Sequence, residues 1–171
     1  MSQHHSTSIE QRLSALGIVL PTPAAPVANY VGAVLTGTTL VVSGQLCFDA
    51  AGKLAPAHTG KMGDGATMED GQAAARLCVI NVLAQVKAVA GSLDRVSRCV
   101  RLGGFINCRP DFASLPQVMN GASDLMVEVF GDAGRHARST IGVAQLPLNA
   151  LVEVEGLFEI HLTDQVLPSV I

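Results

Sequence analysis

An α+β domain, a mixed sheet with two helices packed on one of its faces, is what this sequence predicts, and three observations carry the prediction. Runs rich in β-branched residues alternate apolar and polar at a period of two, as in Val152-Glu153-Val154-Glu155. Two longer runs, near residues 67–90 and 110–130, place their apolar residues at helical spacing and end on glycine. The order is helical lead, β-hairpin, helix, strand, helix, then two strands, with no repeat and no linker; strands and helices mixed this way share one core.

Residues 1–7 are polar and expected to be disordered; His4 and His5 there read as a metal pair or as part of a mobile terminus. Ser8 and Gln11 have capping-box spacing, and Ile9, Leu13 and Leu16 follow at helical spacing before Gly17. Pro21, Pro23 and Pro26 keep the next stretch extended. Two β-rich runs flank Thr36-Gly37-Thr38, a hairpin signal, and Gly44 in the second marks a bulge or a close backbone approach. After a turn at Gly52, residues 53–66 read as a loop. Lys61 among Gly60, Gly63 and Gly65 lacks the spacing of a phosphate loop, so a plain flexible loop is expected.

Thr67 or Asp64 caps the first long helix, which carries Glu69 and Asp70 in its first turn, has few polar gaps and stops at Gly91. A strand over 97–107 should bulge at Gly103-Gly104. Pro110-Asp111 opens the second long helix, with Pro116 in its first turn and Gly131 at its end. The last strand should finish near Leu162. Residues 1–27 are thus a lead with a short helix, 28–162 the domain and 163–171 a tail.

A chain of 171 residues fits one domain, given roughly 100–200 residues for each. With 49% apolar residues, no Trp and one Tyr, its core must be aliphatic. Only 15% of residues are charged, which suggests that partner subunits cover part of the apolar surface. The net charge of −3 and the lack of a basic run argue against nucleic-acid binding. Cys47, Cys78, Cys99 and Cys108 show no CxxC spacing and follow no secretory leader, so reduced, buried thiols and a cytoplasmic location are expected. Residues 73–90 carry Arg76, Asn81, Gln85 and Lys87, too polar a set for a membrane span.

The chemistry concentrates between His136 and Glu155, which reads as two short strands joined by Pro147-Leu148-Asn149. Arg138 lies at the mouth of the first strand; Glu153 and Glu155 share the face opposite Val152 and Val154. An Arg at a strand entrance and a Glu on a neighbouring strand suit a small carboxylate-bearing molecule. The guanidinium fork takes the carboxylate at two points and the Glu moves a proton. A strand pair with one ordinary salt bridge accounts for the same residues. His136 is either an exposed loop histidine or a proton carrier.

Several motifs in this order resemble those of the RidA/YjgF family, the reactive enamine/imine-intermediate deaminases formerly labelled L-PSP endoribonuclease-like. They are Tyr30, Val42-Ser43-Gly44-Gln45, Asp111-Phe112-Ala113, Arg138-Ser139, Leu146-Pro147 and Val152-Glu153-Val154-Glu155, and the similarity covers about residues 28–162. The resemblance implies a chorismate-mutase-like fold and a homotrimer with clefts between subunits. There Arg138 would bind a substrate carboxylate, Glu153 would position a water, and Tyr30 and Asn120 would line the cleft. Backbone groups of Thr140 would contact the ligand. Ser43 either lines the pocket or serves the strand end. Many members have Cys where this chain has Thr140, and both the lead of 1–27 and the segment between Asn120 and Arg138 are longer here.

The function implied is hydrolytic deamination of 2-aminoacrylate-type enamines and imines to 2-keto acids and ammonia. It needs no metal and no cofactor, a homotrimer as the assembly, and neither nucleic acid nor membrane as partner. A trimeric small-carboxylate binder without turnover is the second reading. Endoribonuclease activity is the third, and the lack of basic clusters weighs against it.

Overall fold

A computed structural model describes residues 8–23 and 29–161. The expectations for 1–7, 24–28 and 163–171 lie outside these described residues. Helix α1 (Ile9–Ala15) starts on the capping box read from the sequence: Ser8 accepts from the Gln11 N–H, and the Gln11 side chain returns to the Ser8 N–H. Its Arg12 donates to the Val129 carbonyl, and Asp94 accepts the Ile9 N–H, which fastens the lead to the domain. Gly17 takes a positive φ of 70° just beyond it.

Strands β1 (Ala33–Thr36) and β2 (Thr39–Leu46) form the expected hairpin. The 53–66 region is not a plain flexible loop. Within it β3 (Lys61–Met62) pairs with β4 (Gly65–Ala66), and Met62 is buried. Lys61 Nζ donates to Asn107 Oδ1 at 2.5 Å and also to the Ala144 carbonyl. Backbone bonds from Gly60 to Asn149 and from Leu151 to His58 stitch the segment to the chain before the last strand. The lysine therefore secures two segments to each other.

Helix α2 (Met68–Ala90) has Thr67 as N-cap, with Asp70 closing a capping box, and Gly91 as C-cap at φ 81°. It is long and apolar enough to cross a membrane by length and composition, but its buried residues pack inside this fold. Strand β5 (Val96–Asn107) follows. Its register shifts come at Val96/Arg98 and Cys99/Arg101, not at the glycines, which pair regularly with Glu155 and Val154. Gly103 and Gly104 instead admit neighbours: a Cβ on Gly103 would sit 2.6 Å from a Glu155 carboxylate oxygen, and one on Gly104 would overlap Met119.

Helix α3 (Leu115–Phe130) begins at Ser114, four residues later than expected from Pro110. The Phe112 N–H turns back to the Arg109 carbonyl and Asp111 pairs with Arg109, so residues 109–112 form a turn of their own. Strands β6 (Ala137–Val143) and β7 (Val152–Ile160) complete the sheet, whose order is β1-β2-β7-β5-β6. β6 and β7 are thus not neighbours. The β5–α3–β6 crossover returns the chain to Arg101, midway along β5, so β6 pairs in parallel with the second half of β5 on one side; β7 then lies antiparallel on the other. Between the sheet and the two long helices lies the core, including Phe158, Leu40, Leu83, Leu102, Ile106 and Met126. All four cysteines are buried and free.

Candidate functional site

The predicted residues fall into two groups on opposite sides of the sheet. Residues paired across strands share a face. Arg138 pairs with Leu102, which is fully buried under the helices. Glu153 pairs with Phe105 and alternates with the buried Val152 and Val154, so it points from the uncovered face. Two strand spacings and three residues of register separate Arg138 and Glu153, roughly 14 Å in backbone terms. The neighbouring-strand geometry expected of them is absent within one chain, because β5 lies between their strands.

The arginine group is built on α3 and β6. Arg138 Nη1 donates to Asn120 Oδ1 at 3.1 Å and to Ser123 Oγ at 3.0 Å. Asn120 and Ser123 are three residues apart on the helix and so share its face. An Nη1 nitrogen carries two N–H groups, and both have an acceptor here. The Nε–Nη2 edge has no partner among the described residues. That edge is the planar fork that takes a carboxylate. A cleft of about 330 Å³ opens beside it, lined by Ser123, Asp124, Val127, Arg135, His136 and Arg138. His136 gives its Nδ1 hydrogen to the Gly134 carbonyl at 2.6 Å and its Nε2 faces Ser123 Oγ at 3.1 Å. Burial chiefly, helped by the Arg138 charge, holds the His136 pKa below the ordinary histidine value despite the Gly134 bond. Thr140 shares the Arg138 face, and its hydroxyl is buried without a partner among the described residues.

The glutamate group lies by the β2 bulge. β2 loses register with β7 between Val42 and Gln45. A Cβ on Gly44 would collide with the Glu153 carboxyl group, 2.8 Å from its carbon. Glycine is there because the carboxylate lies against the backbone, the close approach read from the sequence. Desolvation first, and the nearby Glu155 charge second, push the Glu153 pKa above the ordinary carboxylate value. Glu155 itself pairs with Arg101 at 3.0 Å. This separates two glutamates that periodicity alone could not: Glu155 is tied to a cation, and Glu153 is the one whose pKa is raised. Ser43 gives its hydroxyl to the Val31 carbonyl at 2.7 Å, a strand-end role, and Tyr30 is 53% exposed next in sequence to Val31.

Of the side chains gathered in these two groups, sequence reasoning named Arg138, Asn120 and Glu153 but not Ser123, which bonds Arg138, or Arg101, which pairs with Glu155. Ser123 carried one legible signal, its three-residue offset from Asn120; Arg101 could be matched to Glu155 only through the strand register. Among the described residues, no three of His, Cys, Asp and Glu gather to hold a metal ion.

These features define a class of protein: a mixed sheet backed by two helices, with an arginine held by two neutral side chains at one sheet edge. The family model described as "YjgF/chorismate_mutase-like, putative endoribonuclease" matches residues 10–160, and the chain belongs to this YjgF/RidA family, with its chorismate-mutase-like fold. Protein TCP17 of Trypanosoma cruzi is 48% identical over 162 residues, covering 94% of this chain and 99% of that one. A 2-iminobutanoate/2-iminopropanoate deaminase of Dermatophagoides farinae is 32% identical over 145 residues, covering 84% and 96%. Among solved structures, the protein Atu1372 from Agrobacterium tumefaciens superimposes with a TM-score of 0.82 at 44% identity, covering 90% of this chain and 92% of that one.

Proposed function

We propose that this protein hydrolyses reactive 2-imino acids, or the enamines that tautomerise to them, to 2-keto acids and ammonia. The observation that carries the proposal is the Arg138 fork: one nitrogen is fixed by Asn120 and Ser123, the Nε–Nη2 edge has no partner among the described residues, and Arg138 lines an open cleft. A carboxylate held there leaves the adjacent imine carbon to be attacked by water. Glu153, whose pKa desolvation and the Glu155 charge raise, would accept the water proton and return it to nitrogen. The C=N bond becomes a tetrahedral carbinolamine, which collapses to C=O as ammonia leaves. The family relation, and the imine deaminase named for the Dermatophagoides farinae relative, support this reaction.

Because Arg138 and Glu153 sit on opposite faces of one sheet, the reading needs a second copy to complete the site. The family resemblance points to a homotrimer. The uncovered sheet face favours association, with Val34, Val41 and Ile141 each more than two-fifths exposed. A reducing, cytoplasmic setting suits four unpaired thiols.

The test combines light scattering, calorimetric titration with a 2-keto acid, and ammonia release from freshly generated 2-imino acids. Expected are a mass near three times the 17.7 kDa chain, keto-acid affinity lowered by about 2–3 kcal/mol in Arg138→Ala, and kcat lowered roughly 10²–10⁴-fold in Glu153→Gln with binding retained. Arg138→Lys should rescue incompletely, because an ammonium lacks the planar fork. A monomeric mass would reject the shared site. Binding without ammonia release in the wild-type protein would leave a carboxylate-binding protein in place of an enzyme.

A further inference from the structure

We propose that Ser123 and His136 are positioning residues that hold the Arg138 guanidinium in its carboxylate-accepting orientation through a one-directional hydrogen-bond chain. The inference rests on the carboxylate role of Arg138 just proposed. A carbonyl oxygen only accepts, so the 2.6 Å contact between Gly134 O and His136 Nδ1 places the imidazole hydrogen on Nδ1. Nε2 of the neutral ring is then an acceptor, and the hydroxyl 3.1 Å away must be its donor: Ser123 O–H points at His136. With its hydrogen committed, Ser123 Oγ presents lone pairs to Arg138 Nη1 at 3.0 Å. Every link has one direction, from Arg138 to Ser123 to His136 to the Gly134 carbonyl.

The chain answers a geometric need. A guanidinium on an edge strand has several rotamers, and a two-point carboxylate contact uses only those in which the Nε–Nη2 edge faces the cleft. Asn120 supplies one acceptor for Nη1, but Asn120 is exposed and its amide can turn. Ser123 is half-buried, and its hydroxyl is oriented by a ring that is itself anchored to backbone. The resulting arrangement differs from a salt bridge in one useful respect: the groups holding Arg138 are neutral, so its charge remains available to the ligand. The charged groups sharing the cleft are Arg135 and Asp124; Asp132 pairs with Arg135 outside it. Asp124 lines the cleft but makes no ion pair with Arg138 among the described residues.

The test uses the full chain, with pyruvate and pyruvamide as binding probes and freshly generated 2-iminopropanoate as substrate. Ser123→Ala and His136→Leu should each raise the pyruvate Kd and the imino-acid KM roughly tenfold while kcat stays within about twofold, since the guanidinium is displaced but not removed. Pyruvamide, which lacks the carboxylate, should bind all variants alike. Ser123→Thr keeps the hydroxyl and His136→Gln keeps an acceptor near the Nε2 position, so both should recover most of the affinity. The double variant Ser123→Ala/His136→Leu should lose no more than either alone, because each breaks the same chain. A purely structural role would instead lower kcat together with thermal stability and would act on both probes. If His136→Leu does not fold, Ser123→Ala set against Ser123→Thr decides. Unchanged pyruvate affinity in Ser123→Ala, beside a large loss in Arg138→Ala, overturns this inference and leaves the proposed function standing. Unchanged affinity in Arg138→Ala overturns the proposed function and, with it, the role given to Ser123 and His136.

Discussion

Gly121 lies between Asn120 and Ser123 where α3 packs on the Gln72 backbone of α2, and replacing it by Ala tests whether that contact sets the geometry of the arginine group. The added Cβ would sit 2.7 Å from the Gln72 carbonyl carbon and 2.8 Å from its Cα, closer still to its oxygen, where ordinary contact begins at 3.4 Å. The obstacle is backbone on both sides, so no side chain can swing away. The helices must part by more than half an ångström, which loosens Val118, Met119 and Ala122. Overpacking of this kind costs about 1–3 kcal/mol, and rigid backbone puts the site at the upper end. Helix propensity offsets roughly 0.8–1.0 kcal/mol, because Ala is the better helix former. A net loss of about 2 kcal/mol remains, which lowers Tm by roughly 4–8 °C in a chain of this length. Urea denaturation and calorimetry measure it directly, and pyruvate affinity should fall in parallel as Asn120 and Ser123 move. A Gly121→Ala variant as stable as wild type would refute the close-packing account; one that is destabilised but binds pyruvate normally would refute the link from that packing to the site.

Three further outcomes follow from the same geometry. Gly44→Ala meets the end of a flexible side chain, so stability should change by less than about 1 kcal/mol, while displacement of the Glu153 carboxylate should lower ammonia release roughly tenfold or more; unaltered turnover would remove Glu153 from the chemistry. Because the folded-state pKa of Glu153 is raised by desolvation and by Glu155, protonation favours the native state. That stabilisation is fully present below the ordinary carboxylate value and lost as pH rises through the raised one. Glu153→Gln should therefore unfold at a higher temperature than wild type at pH 7, the difference closing toward about pH 4; a gain that persists at acid pH would contradict the assignment. The four buried thiols should resist an aromatic disulfide reagent in the native protein and titrate fully on unfolding. Among them burial pushes Cys99 up to about 12, whereas the hydrogen bond with Cys78 lowers Cys47 to about 7, so Cys47 should be the first labelled on partial opening. Rapid native labelling of Cys99 would contradict this.

Local signals in the sequence gave the elements whose ends are set by local chemistry. The Ser8 capping box, the cap at Thr67 (one of two candidates with Asp64), the Gly91 and Gly131 stops and the turn at Gly37 all stand where their residue types place them. One miss was local and the rest were non-local. Pro110 looked like a helix start, but Arg109 and Asp111 make a separate turn, and Pro116 in the first turn of α3 was the truer marker. Gly103 and Gly104 looked like a bulge, while their real reason is the bulk of Glu155 and Met119 from other elements. Lys61 looked unattached because its acceptors, Asn107 and Ala144, lie 46 and 83 residues away in sequence. The same limit applied to the site. Spacing brought Arg138 and Glu153 together on adjacent strands, and only the sheet order puts β5 between them.

That separation has a consequence for how the protein can change over generations. The Arg138 cluster rests on α3 and the covered face; Glu153 rests on the β2 bulge and the bare one. Substitutions that share no contacts add in their effect on folding stability, so a destabilising change at one cluster leaves the stability cost of a change at the other unaltered. The packing that supports each cluster is therefore separately heritable in this fold. A descendant can lose Glu153 and keep the Arg138 cluster without disturbing the core, and under the proposed function it would become a receptor for the molecules its ancestor consumed.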